Sequence, residues 1–172
     1  MIISSHIILT VAAVSPIIER SATLSNISLA FALSFLIHYF LDFIPHWDYK
    51  LLSIPDPGDK AKGEKNFVFV GTNLAIDALK TFFDCLFGVA VAFFMIGSPD
   101  GAEGILMFAI VAASSILPDV MELVYAVWKK FPFNYLHKIH SFFHTNIKLK
   151  ERAVFGALLQ LIMIIAAFLT IF

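Results

Sequence analysis

Apolar residues run through this chain in stretches near the length at which an α-helix crosses a bilayer, about 20 residues. Polar breaks separate them. The pattern predicts helices near 2–18, 26–46, 67–97, 104–128 and 153–172. The breaks are Ser21 to Ser25 behind Arg20, the turn Pro55-Asp56-Pro57-Gly58-Asp59, the turn Gly97-Ser98-Pro99-Asp100-Gly101, and Pro132 behind Lys129 and Lys130. Proline and glycine clusters of this kind stop helices and turn the chain. The first stretch has no basic residues ahead of its apolar core, so it reads as a helix rather than a cleaved leader. The third is long for one crossing and carries Asn73, Asp77, Lys80 and Asp84 in its first half, which is expected to start outside the hydrocarbon or to line a polar interior. Phe131 to Asn146 reads as a further short helix, with Pro132 in its first turn. The expected fold is therefore all-α, a polytopic transmembrane helix bundle of about five spans plus a short amphipathic cytoplasmic helix, forming a single domain over 1–172.

Composition agrees with a membrane protein: the apolar fraction is 59%, the mean hydropathy is +0.86, and 19 of the 172 residues are Phe. A formal net charge of −1 argues against a nucleic-acid partner, which calls for a basic face. The lone Cys85 excludes an internal disulfide and any paired-cysteine metal site. Basic residues concentrate in two loops, with Lys50, Lys60, Lys62 and Lys65 in one and Lys129, Lys130, Lys138, Lys148, Lys150 and Arg152 in the other. The positive-inside rule assigns both loops to the cytoplasm, and five spans bring the N-terminus to the same side of the cell membrane.

Against this apolar background the ionisable residues stand out, because each is costly in lipid and so implies a task. His38 and Asp42 are one helical turn apart on one face, and His46 continues that line if Pro45 only kinks the helix. His6 falls near the cytoplasmic start of the first helix. Asp119 follows Pro118 in the fourth, and His137, His140 and His144 share one face of the short helix. All six histidines are thus expected at one level of the membrane. Imidazole and carboxylate donors without thiolates suit a divalent metal: zinc in a catalytic site, or manganese or iron where carboxylates dominate. The candidate ligands are His6, His38, Asp42, His46, Asp119, His137, His140 and His144, with Asp48 and Asp84 as carboxylates able to take or return a proton. Competing structural roles are a buried polar network that holds the helices together, an intrahelical pair of Lys80 with Asp77 or Asp84, and a pair of Glu122 with Lys129. Trp47, Tyr49, Trp128 and Tyr135 read as interfacial aromatics.

These motifs resemble those of small prokaryotic integral membrane proteins related to the membrane-bound metal-dependent hydrolase family, loosely associated with zinc-dependent phospholipase C. The resemblance rests on His6, on His38-x-x-x-Asp42-x-x-Pro45-His46-Trp47-Asp48, on Asp84-x-x-x-Gly88, on Leu117-Pro118-Asp119, and on His137-x-x-His140-Ser141 followed by His144. Larger members show His-Arg-Gly-x-Thr-His-Ser late in the chain, where this one has His137-Lys138-Ile139-His140-Ser141 and lacks the arginine. The resemblance implies hydrolysis of an ester or phosphoester in a membrane lipid or lipid-linked substrate, with His38, Asp42, Asp119 and His140 as metal ligands. From the residues alone, a metal or proton transporter and a non-catalytic bundle with a polar core are the other two expectations.

Overall fold

A computed structural model describes residues 1–49, 51–53, 72–144 and 153–171. Six helices follow one another: α1 (Ile3–Ile18), α2 (Leu24–Phe43), α3 (Thr72–Met95), α4 (Gly101–Val127), α5 (Phe133–Phe143) and α6 (Ala153–Ile171). Four of them, α2, α3, α4 and α6, are long and apolar enough to cross a membrane, so the chain is a multi-pass membrane protein built as a helical bundle. The first expected span is a correction in length. α1 has 16 residues, about 24 Å of helix against a hydrocarbon core of about 30 Å. The turn at Pro55 to Asp59, and all the loop basic residues apart from Lys129, Lys130 and Lys138, lie outside the described residues.

α1 is the centre of the bundle. It packs against α2, α3, α4 and α6, while α2 also packs on α4, and α5 rests on α4 and α2. Its apolar residues Ile7, Ile8, Val11 and Val14 are buried, and they meet Ala30 of α2, Ala92 of α3 and Met107 and Val111 of α4 in one core. α3 approaches α1 so closely that a Cβ added to Gly88 would lie 2.5 Å from the Ser4 Cα. A glycine lets two helix backbones come this near in a membrane bundle. α6 has only Gly156 and Gln160 buried. Gln160 ties it inward: its Nε2 donates to the Trp47 carbonyl at 2.8 Å, and its Oε1 accepts from Ser5 Oγ at 2.9 Å.

Local chemistry sets the helix ends. Thr23 precedes α2, and its Oγ1 accepts the Asn26 N–H at 3.3 Å, a helix N-cap. α3 closes with Gly97 in the left-handed region, the Gly97 N–H donating to Phe94 O and the Ser98 N–H to Phe93 O. The first N–H groups of α1 receive a partner from another helix: Asp84 of α3 accepts Ile3 N–H at 2.8 Å and Ser4 N–H at 3.4 Å. α2 stops at Phe43, and Ile44 is extended (φ −78°, ψ 133°), as a residue before proline prefers. The expectation that His46 continues the helical face is thereby corrected. His46 approaches the bundle from an irregular segment instead.

Candidate metal centre

The ligand-bearing end of the bundle is where α1 and α3 begin and where α2 and α4 finish. Asp42, in the last turn of α2, is buried there with three imidazoles around it. His6 Nε2 lies 3.2 Å from its Oδ1, and His38 Nε2 and His140 Nε2 each lie 3.1 Å from its Oδ2. Asp119 approaches from α4, its Oδ1 3.7 Å from His38 Nε2 and 3.9 Å from His140 Nε2. One donor atom from each of His38, Asp42, Asp119 and His140 lies within 4.8 Å of all the others. A second group, Asp42, His46 and His144, satisfies the same condition and shares Asp42 with the first. These buried His and Asp side chains can hold a metal ion.

The backbone fixes how the imidazoles face this centre. His38 Nδ1 is 2.6 Å from the Ser115 carbonyl. A carbonyl only accepts, so Nδ1 carries the hydrogen, and in the neutral ring Nε2 is a lone pair. His46 repeats the arrangement, with Nδ1 2.6 Å from the Ile44 carbonyl. Metal-binding histidines are oriented by this kind of second bond. A neutral His38 would then aim a lone pair at the Asp42 carboxylate, an electrostatically unfavourable contact that a cation or proton between them removes. The orphaned atoms agree: His38 Nε2, His46 Nε2 and both Asp42 oxygens are buried without a hydrogen-bond partner among the described residues.

Around this core the other predicted residues divide. Asp48, partly exposed, has Oδ2 3.3 Å from His46 Nε2 and 3.9 Å from His144 Nε2. Burial alone would raise its carboxyl, but His46 beside it holds it well below the usual range. Burial likewise works against protonation of His140, yet the Asp42 carboxylate outweighs it and raises this imidazole. For His144 burial prevails and lowers it. His6 belongs to neither four-way nor three-way group. It stacks on His38 at 4.1 Å between ring centroids and contacts Asp42 from behind. His137 is also outside both groups: its Nδ1 is 2.8 Å from Glu122 Oε2, and its ring stacks on Tyr125 at 4.1 Å. Asp84 caps α1, and Asp77 accepts both the N–H and the hydroxyl of Ser53 at 2.7 Å with Lys80 3.7 Å away.

Glu122 holds His137 and stands 3.9 Å from His140 Nδ1 with Oε1. Its position one turn after Asp119, on the same face of α4, was the signal available in the sequence. Tyr49, near Thr81 and Asp84, is pushed up to about 12 by burial.

Compared with family models, curated proteins and solved structures, the chain matches none of them.

Proposed function

We propose that the protein is a membrane-embedded, metal-dependent hydrolase that acts on an ester or phosphoester of a lipid-like substrate. The observation that carries this reading is the convergence of His38, Asp42, Asp119 and His140 from three helices onto one buried point. Two imidazoles with two carboxylates suit zinc, or manganese or iron. A divalent ion there would polarise the scissile ester and lower the pKa of a coordinated water toward about 7.

The remaining groups have distinct work in this reading. The Ser115 and Ile44 carbonyls orient His38 and His46 through Nδ1. Asp48, 30% exposed on its side chain, borders His46 and would pass a released proton on to water rather than hold it, since its carboxyl is kept well below the usual range. Asp84 is left out of the reaction, since its oxygens receive the backbone of α1. The apolar surface of α2 and α4 around this end favours a substrate that arrives through the lipid, and the family resemblance points to the same substrate class. The cluster and the lysine-rich loops are assigned to the cytoplasmic face by their charge.

A translocation path is less favoured. Past the cluster, the described core is mostly apolar, Ile7, Ile8, Val11, Val14, Met107 and Val111; the buried Thr10 hydroxyl is a lone polar group among them, while Ser34 and Ser114 donate to carbonyls of their own helices. The test is elemental analysis and lipid-ester hydrolysis by purified protein after incubation with zinc. His38→Ala is expected to lose both metal and hydrolysis. Stoichiometric metal with full activity in that variant overturns the reading.

A further inference from the structure

α5 has two unlike faces. At about 100° per residue, His137, His140 and His144 lie on one side, toward Glu122, Asp42 and Asp48. Tyr135, Ile139 and Phe142 lie on the other and are 63%, 42% and 79% exposed. Phe131, one turn ahead of Tyr135, is 76% exposed. Lys138 flanks the apolar stripe, its Nζ 5.8 Å over the Tyr135 ring.

The packing of α5 fixes its depth. His140 and Phe143 contact Tyr39, one turn from the end of α2, at 5.9 and 5.4 Å between centroids. His137 and Phe133 contact Tyr125 and Trp128 at the end of α4. α2 is 20 residues long, about 30 Å, which matches the hydrocarbon thickness, so its last turn marks the boundary with the headgroups. Exposed Phe40, Phe43, Leu123 and Val127 carry the apolar surface of the spans up to this level.

We infer that α5 lies in the plane of the bilayer at the headgroup–acyl boundary, with Tyr135, Ile139 and Phe142 dipping into lipid and Lys138 among the phosphates. Three observations select lipid as the occupant. The stripe sits at the depth of that boundary, it continues the apolar surface of α2 and α4, and a cation borders it where anionic headgroups are found. An amphipathic helix with aromatics on one face and a basic flank is built for this layer. The inference goes beyond the hydrolase reading and does not rest on it: a chain that binds no metal would still seat α5 in lipid. If both hold, His140 is held in place by a helix that the membrane itself supports.

The experiment uses the full chain in vesicles of phosphatidylcholine and phosphatidylglycerol. In a Cys85→Ala background, Ile139→Cys and Phe142→Cys are labelled with an environment-sensitive fluorophore. They are quenched by lipids with a nitroxide near the headgroup and, separately, by aqueous iodide. Ser21→Cys, in the exposed turn before α2, is the aqueous control. Lipid quenching several-fold stronger than iodide quenching at 139 and 142, reversed at 21, is expected. Iodide quenching without lipid quenching overturns the inference. So does protection from both together with cysteine cross-linking between chains, which would assign the stripe to a second copy. Hydroxyl-radical footprinting of the unaltered chain reads the same surface without substitutions. Tyr135 and Phe142 are expected to oxidise several-fold more slowly in vesicles than in the detergent-denatured chain, and equal rates overturn the inference.

Discussion

His6 and His38 stack with 4.1 Å between ring centroids and 16° between planes, and their Nε2 atoms approach opposite oxygens of Asp42. One imidazole thus reaches the side of the carboxylate that belongs to the four-residue group, and the other holds the carboxylate from behind. That makes His6 a positioning residue. His6→Phe keeps the stack and deletes the nitrogen, so zinc affinity is expected to fall about 10–100-fold, as for other supports of metal ligands, with unchanged stoichiometry at saturation. His38→Phe is expected to abolish binding at the four-residue group. Competition with a chelating dye separates the two; equal losses would contradict this division of roles.

Asp42 belongs to both candidate metal groups, whereas His144 belongs to one. Asp42→Asn is therefore expected to remove metal altogether, and His144→Ala to leave whatever the first group holds. Metal-to-protein ratios after gel filtration read this directly. Undiminished metal in Asp42→Asn would exclude Asp42 as a ligand.

Asp84→Asn is predicted to act on the fold rather than on the metal. The carboxylate accepts two N–H groups at the start of α1, and loss of a helix cap costs about 0.5–2 kcal/mol. A lower melting temperature with unchanged zinc content is the expected result. Lost hydrolysis at full metal content and unchanged stability would restore Asp84 to the reaction.

Gly88→Ala would force the 2.5 Å approach of α3 to Ser4 apart. The obstruction is backbone, so a helix must move, and overpacking of this kind costs about 1–3 kcal/mol. Denaturant or thermal unfolding in detergent micelles tests it. Because His6 lies half a turn beyond Ser4, zinc affinity should weaken along with stability.

Gln160→Leu removes the link from α6 to the Trp47 carbonyl and to Ser5. The expected loss is about 1 kcal/mol, typical of a polar contact between membrane helices. It should appear in unfolding and leave metal stoichiometry intact.

The residues that a helical repeat brings together were legible from the chain. His38 with Asp42, Asp119 behind Pro118, and the common face of His137, His140 and His144 each follow from spacing on one element, and their meeting follows from alternating helix direction. What spacing cannot express is the choice made across elements. Asp84 receives the first N–H groups of α1, and Glu122 bonds His137 at Nδ1; neither partner can be read from spacing on one element. His46 was placed on a helical face that ends three residues earlier, at Phe43, because the restriction imposed by Pro45 outweighed the periodicity. Even so, it faces His144 and Asp48 from its loop.

The shortness of α1 has a consequence for how the protein responds to its membrane. Helices that touch lipid must adjust to bilayer thickness by tilting or by deforming the lipid around them. α1 is wrapped by four neighbours, so protein rather than lipid is its solvent, and hydrophobic mismatch exerts no direct pull on it. Thickening or thinning the bilayer loads the lipid-facing helices α2, α3, α4 and α6, while His6 rides on an element insulated from that strain and meets the Asp42 carboxylate of α2 from there.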